Sequence, residues 1–178
     1  QGIDRATRLV DQLLTLSRLD SLAQLDDVQQ VAIADLLQSA VMEMYHPAQQ
    51  SGIELRLHLN ASHIVRTGQP LLLSLLVRNL LDNAVKYSPP GEIAIDIHSD
   101  AGQTELRIRD HGPGLPAGQA ELIFERYRRG EHTSPVPGGT GLGLYVARQI
   151  VQAHDGKLWL AEHGPDGCTF ILTLPTVA

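Results

Sequence analysis

Sulfur and aromatic rings are scarce in this chain. Cys168 is the single cysteine in 178 residues, which rules out an internal disulfide and a cysteine cage for a metal and fits a reducing compartment. Phe, Trp and Tyr together make up 4%, so the core must be assembled mostly from Leu, Ile, Val and Ala. No apolar run approaches the roughly 20 residues that a membrane-spanning helix needs, and no signal-peptide pattern opens the chain. The eight histidines are scattered, with no H-E-x-x-H and no close pair, so no zinc site is expected. Excess positive charge is lacking too. A formal net charge of -6 gives no global electrostatic support for a nucleic-acid or anionic-membrane partner. There is no internal repeat and no low-complexity segment. What remains is globular composition, 43% hydrophobic and 19% charged, enough for one domain with a full core plus a short extra element.

The chemistry gathers first at Asn79-Leu80-Leu81-Asp82-Asn83-Ala84-Val85-Lys86-Tyr87. On a helix, Asn79, Asn83 and Tyr87 recur every four residues along one edge, with Lys86 beside them. Leu72, Leu76, Leu80 and Ala84, with Leu73 and Val77, form an apolar stripe at helical spacing. Amide oxygens are hard ligands that suit magnesium, which takes few protein ligands when it also holds phosphates. A lysine suits a polyphosphate and an aromatic ring suits a base. The same residues also read as a polar helix edge with capping asparagines.

Residues 3 to 19 read as a helix, with Ile3, Ala6, Val10, Leu13 and Ser17 near heptad spacing and Leu9 and Leu16 widening the stripe. It is expected to be the last part of a dimerising helical hairpin; the alternative is a surface helix lying on the domain. Residues 20 to 27 are polar and acidic and read as a linker. Val28 to Ile33 can form a strand, and Asp35 opens an amphipathic helix that Gly52 ends. Ile53, Leu55, Leu57 and Leu59 alternate with polar residues as a half-buried strand. Gly68 and Pro70 introduce the Asn79 helix, and Ser88-Pro89-Pro90-Gly91 stops it. Ile93, Ile95 and Ile97, then Leu106 and Ile108, give two strands joined by a turn at Ala101-Gly102.

Asp110-His111-Gly112-Pro113-Gly114 follows the second of these strands. Its aspartate can accept from an exocyclic amine, and its glycines let the backbone pass close to a flat ring; read alone it is an Asp-Gly turn. Ala120 to Tyr127 reads as a short helix or turn with Leu122, Ile123 and Phe124 inward. Arg126, Arg128 and Arg129 lead into residues 130 to 138, which have no apolar periodicity and the length of a lid or binding loop. These arginines can meet phosphates or form a solvated basic turn. Gly138-Gly139-Thr140-Gly141-Leu142-Gly143-Leu144 then opens a helix with Val146, Ala147, Ile150 and Val151 inward. Backbone N–H groups at such a helix start bind phosphate well. The run is neither a dinucleotide fingerprint, since no strand precedes it, nor a P-loop, since no Gly-Lys-Ser/Thr ends it. Gly156 is expected to cap this helix, with His154 complementing its negative end. Lys157 to Leu160 and Thr169 to Leu174 are the final strands, and Cys168 reads as a small packing residue.

Asn79 to Tyr87, Asp110-x-Gly-x-Gly, Phe124-Glu125-Arg126-Tyr127 and Gly139-Thr140-Gly141-Leu142-Gly143-Leu144 resemble, in order and approximate spacing, the N, G1, F and G2 boxes of sensor histidine kinases. The resemblance covers about residues 28 to 176 as the catalytic ATP-binding domain; residues 1 to 21 are similar to the tail of the second dimerisation helix, with 22 to 27 as linker and the catalytic domain reaching residue 178. Arg66 to Asn79 further resembles the QseC-like group. The implied fold is a two-layer α/β (α+β) sandwich of the Bergerat, or GHKL, type, with a mixed sheet on one side and helices on the other. The implied activity is that of a protein-histidine kinase, a transferase of two-component signal transduction. It moves the ATP γ-phosphoryl to a histidine and then to a response-regulator aspartate.

By the same resemblance Asn83 is the magnesium ligand, Asn79 a helper near the phosphates, and Lys86 a phosphate contact. Tyr87 packs on adenine, Asp110 accepts from its amino group, and Gly112 and Gly114 shape its pocket. Arg129 reaches the γ-phosphate with Arg128 beside it. Gly139, Thr140, Gly141, Leu142 and Gly143 hold the phosphates and hinge the lid. The implied cofactors are ATP and Mg2+. The implied partners are the dimerisation domain of the same kinase and a response regulator, in a homodimer, with no nucleic acid. The domain would be cytoplasmic and its parent would sit in the bacterial inner membrane.

Two departures stand out. His111 occupies a position that is usually asparagine. The family's phosphoacceptor motif, His-Glu/Asp-x-Arg-x-Pro, surrounds none of His46, His58, His63, His98, His111, His132, His154 or His163, so the chain is expected to begin downstream of it. Three alternatives remain in view. In ATPases of the gyrase, chaperone and mismatch-repair group, a glutamate stands where this chain has Asn79. The others are a binding module without catalysis and a serine kinase of the same fold.

Overall fold

In a computed structural model of the chain, the structure describes residues 28–60, 64–100, 102–112, 124, 143–162 and 167–175, together with Ile3, Ala6, Thr7, Val10, Leu13, Leu14 and Ser17. Those seven have helical backbone, and Thr7 Oγ1 donates to the Ile3 carbonyl one turn back.

The order of elements follows the alternation of patterns. β1 (Gln29–Ala32) runs into α1 (Ile33–Gln50), then β2 (Ile53–Leu59), β3 (Val65–Gly68), α2 (Pro70–Tyr87), β4 (Gly91–Ser99), β5 (Gln103–Arg109), α3 (Gly143–Ala153), β6 (Lys157–Glu162) and β7 (Thr169–Pro175). Five strands form a sheet in the order β2-β4-β5-β7-β6. β2 and β4 are parallel and the other pairs antiparallel, so the sheet is mixed, as expected. Ile93, Ile95 and Ile97 of β4 and Leu106 and Ile108 of β5 bury one face of it. Among the described residues, α1, α2 and α3 cover that face and leave the other to Arg56, Asp96, Arg107 and their neighbours.

Three local features depart from the expectations. β3 carries no alternating apolar pattern, and it exists because it pairs antiparallel with β1, from Gln29 opposite Gly68 to Ala32 opposite Val65. α1 starts two residues before Asp35, at Ile33, whose N–H donates to the Ile64 carbonyl at 2.9 Å. Asp35 instead sits in the first turn, where its charge favours the positive helix end. The third departure is the end of α3. Asp155, not Gly156, takes the left-handed conformation, with φ of 59°. The Gly156 N–H reaches back to the Val151 carbonyl at 2.9 Å, which closes a Schellman-type end. Gly156 is needed for space: a Cβ there would stand 2.3 Å from the Thr173 carbonyl oxygen of β7.

α2 is the middle helix of its layer and touches both α1 and α3. That position explains why its buried face is wide, running through Leu73, Leu76, Val77, Leu80, Leu81, Ala84 and Val85. Gln69 caps its N-terminus, its side chain accepting from the Leu72 N–H at 2.8 Å, and Pro70 occupies the first turn, where its missing N–H costs nothing.

Candidate functional site

The end of β5 delivers Asp110 to a spot where β7 begins. The Asp110 N–H donates to the Cys168 carbonyl at 3.0 Å, continuing the β5–β7 ladder by one residue. Asp110 Oδ1 accepts from the Cys168 N–H at 3.1 Å and from the Gly112 N–H at 2.9 Å. Two backbone donors on one oxygen fix the plane of the carboxylate and leave its acceptor capacity at Oδ2. Gly167 makes this approach possible. Its φ is 127°, and a Cβ there would lie 2.2 Å from the Asp110 carbonyl oxygen. Gly112 is buried, and a Cβ on it would meet Asp110 Oδ1 at 3.2 Å and Pro89 Cδ at 3.3 Å. The Pro89 turn after α2 and the Asp110 turn after β5 therefore form one wall. His111 is exposed beside it. The Cys168 thiol is pushed up to about 11 by burial first and by the neighbouring Asp110 carboxylate second, so it stays protonated at neutral pH.

The last two turns of α2 bring Asn79, Asn83, Lys86 and Tyr87 to one side, as the helical spacing predicts. Asn83, Lys86 and Tyr87 are half-buried. Lys86 Nζ lies 2.8 Å from Asp82 Oδ2, one turn back; sequence reasoning gave Asp82 no role. Asn79 is the exception on this edge. It is only 7% exposed, and its Nδ2 donates to the carbonyl of Gly143 at 3.3 Å. Gly143 is the first residue of α3 and closes the glycine-rich run.

The far end of α3 is tied to α2 as well. His154 Nδ1 lies 2.8 Å from the Ile150 carbonyl, and the Gln69 N–H donates to Nε2 at 3.1 Å. A carbonyl can only accept and an N–H can only donate, so the ring is neutral with its proton on Nδ1. Burial, the largest cause, lowers its pKa below the usual 6.5. His154 thus joins two helices rather than placing charge at a helix end, which corrects the expectation from its position in the last turn.

Phe124 is buried, edge-on to Phe170 of β7 with centroids 6.1 Å apart, and the Arg148 guanidinium carbon of α3 lies 4.8 Å from its ring centre. Gly114, Arg128, Arg129, Gly139, Thr140, Gly141 and Leu142 lie outside the described residues, as do Glu125, Arg126 and Tyr127.

A sandwich with this strand order, an anchored aspartate after β5 and an amide-bearing helix against a glycine-started helix defines the Bergerat-type nucleotide fold. A family model described as histidine kinase-, DNA gyrase B- and HSP90-like ATPase matches residues 68–178. The chain belongs to this ATP-binding family and is homologous to the ATP-binding catalytic domains of sensor histidine kinases.

Its relatives are specific. It is 56% identical over 153 residues to sensor protein QseC of Escherichia coli K12, covering 86% of this chain and 33% of that protein. With the solved cytoplasmic segment of histidine kinase QseC it shares 45% identity at a TM-score of 0.65, covering 98% of this chain and 95% of that one. The mycobacterial sensor histidine kinase MprB aligns at 31% identity and a TM-score of 0.70, covering 83% and 96%. The chain spans about a third of the length of the curated QseC relatives it matches. Among the described residues no helix is long and apolar enough to cross a membrane.

Proposed function

We propose that this chain binds ATP with magnesium and transfers the γ-phosphoryl to a histidine on the dimerisation domain of the same kinase, for relay to a response-regulator aspartate. The observation that carries the proposal is Asp110. Its Oδ1 is held by two backbone N–H groups, so Oδ2 is presented as an acceptor of fixed direction, which suits the adenine amino group. A Cβ on Gly112 would press on Asp110 Oδ1 at 3.2 Å and on Pro89 Cδ at 3.3 Å, so glycine keeps this wall free of side-chain atoms, as the approach of a flat ring requires. Ser88 Oγ, next to Tyr87, is buried with no hydrogen-bond partner among the described residues.

The donor set fits the rest of the nucleotide. Asn83 offers a hard amide oxygen for magnesium, which neutralises phosphate charge when bound. Lys86 reaches phosphate by exchanging its contact with Asp82, and Tyr87 lies against the base. Arg129, Arg128 and the glycines from Gly139 to Gly143 complete the cradle in this reading, with Gly114 behind the ring. Phosphoryl transfer asks little covalent chemistry of a protein; positioning and charge neutralisation carry it. Asn79 stands where hydrolytic relatives of the fold carry a basic glutamate. Its nitrogen faces a carbonyl, and an amide cannot take a proton from water, so transfer is favoured over hydrolysis.

Residues 1 to 21 belong to the dimerisation domain in this reading, 22 to 27 to a linker and 28 to 178 to the catalytic domain. Ile3 and Val10, seven apart, are 82% and 53% exposed, and Leu13 and Leu14 continue that face. Such a seam suits a helical partner and a homodimeric parent; by the likeness to sensor kinases that parent is anchored in the inner membrane with this domain in the cytoplasm. The test is phosphorylation in trans. A separately produced dimerisation domain is mixed with this chain, labelled ATP and magnesium. Acid-labile, base-stable label on its histidine supports the proposal; steady ATP hydrolysis with no label on that domain overturns it.

A further inference from the structure

We infer that Asn79 is a positioning residue that holds the start of α3, and with it the end of the glycine-rich run, at a set distance from the metal amide on α2. The inference rests on the nucleotide reading above. Asn79 sits inside the α2–α3 contact, with Leu76 and Leu80 buried around it. Its Nδ2 donates to the Gly143 carbonyl, a residue 64 positions further on. Gly143 O only accepts, so the nitrogen must face it. One of the two N–H donors on that nitrogen is thereby committed to the backbone of α3.

Asn83 lies one turn beyond Asn79, about 6 Å along the same rigid helix. A backbone N–H at the start of α3 and a metal amide on α2 can act on one polyphosphate only if the two helices keep a set separation, because magnesium demands near-octahedral geometry with bonds of about 2.0–2.1 Å to its own ligands. A side chain that joins α2 to the first residue of α3 sets that distance. The second tie, from His154 to Gln69, fixes the other end of α3. Asn79 therefore decides whether the phosphate end of the helix stays in register.

The nature of the bond separates this role from metal ligation. A carboxylate at position 79 would face the Gly143 carbonyl with no proton between them and push the helix start away. A metal ligand, by contrast, would gain from the change, since a carboxylate binds magnesium at least as well as an amide oxygen. The experiment compares the full chain with Asn79→Asp and Asn79→Ala. Calorimetry measures adenosine and a non-hydrolysable ATP analogue with magnesium, and hydrogen exchange follows the amides of residues 143–147 in the free protein.

The expected result is adenosine binding within about twofold of the parent in both variants, analogue binding weakened tenfold or more, and faster exchange at 143–147. Adenosine binding reports that a variant is folded, and Asn79→Ala carries the comparison should Asn79→Asp not fold. Analogue affinity retained or raised in Asn79→Asp, with unchanged exchange, overturns the positioning role. If the parent chain itself fails to bind the analogue with magnesium, the nucleotide reading falls and the inference falls with it.

Discussion

His154 and Gln69 join the last turn of α3 to the cap of α2. The Gln69 N–H donates to Nε2 at 3.1 Å, and the ring's other nitrogen is committed to the Ile150 carbonyl. A Cβ on Gly68 would stand 3.0 Å from the His154 ring and 2.6 Å from Leu73, so the chain before α2 is pressed against the imidazole. The bond needs a neutral ring, and Asp155 beside it only partly offsets the cost of charging it there.

A pH dependence follows. The folded pKa lies below the unfolded value of 6.5, so at pH below that value the unfolded chain binds a proton that the folded chain does not. Above 6.5 the group contributes no pH slope; as pH falls from there toward the folded pKa, stability is lost. Thermal unfolding between pH 7.5 and 5 is expected to show a Tm falling with acidification, and His154→Gln is expected to flatten that fall. A variant with the parent slope would place the titration elsewhere. His154→Ala, which leaves the Gln69 N–H without its partner, is expected to cost about 1–3 kcal/mol above pH 6.5 and less as pH falls.

Asp110→Asn separates the two oxygens of the carboxylate. The amide oxygen can still accept from Gly112 and Cys168, so the fold is expected to hold, with Tm close to the parent value. The other position becomes a donor and would face an adenine amino group donor to donor. Analogue affinity is expected to fall by at least tenfold, about 1.4 kcal/mol or more. Calorimetry beside a melting curve checks both halves; a stable variant that binds as the parent does removes Asp110 from the base pocket.

Cys168 provides a chemical check on the same corner. With its thiol pushed up to about 11, the reactive thiolate is rare at pH 8, and alkylation is expected to run about a hundredfold slower than for an ordinary cysteine thiol of pKa about 8.5. The rate should keep rising about tenfold per pH unit beyond pH 9 and level off only near 11. Fast labelling at pH 8, followed by mass spectrometry, would contradict the burial described for this thiol.

Gly156→Ala tests the seam between α3 and β7. A methyl group at 2.3 Å from the Thr173 carbonyl must move backbone, and overpacking of that kind costs about 1–3 kcal/mol. A lower midpoint in urea with an unchanged slope is the expected outcome, and an unshifted midpoint would show that the seam has room.

Much of this was legible in the sequence where the signal is local. Ile93, Ile95 and Ile97 spell a strand by alternation, and the Asn79–Tyr87 stretch spells a helix edge by fours. The four boxes together identify the family, and Phe124 points inward as read. What was not legible depends on partners far along the chain. β3 has no pattern of its own and is made by pairing with β1. Gly167 looks like a turn residue, yet it is required by Asp110, more than fifty positions earlier. His154 reads as a helix-end charge until Gln69 appears against it. Gly156 reads as a cap, while the turn is made by Asp155. The roles given to Arg128, Arg129 and the glycines before Gly143 rest on the resemblance alone.

The central claim is that this chain holds a nucleotide through magnesium on Asn83 and through Asp110. The most direct measurement is a calorimetric titration of the chain with a non-hydrolysable ATP analogue, with and without magnesium, repeated on Asn83→Ala. The account predicts binding that strengthens at least tenfold with magnesium in the parent and a loss of that magnesium response in the variant. The same response in both would place the metal on other residues, and no binding by the parent under either condition would contradict the account outright.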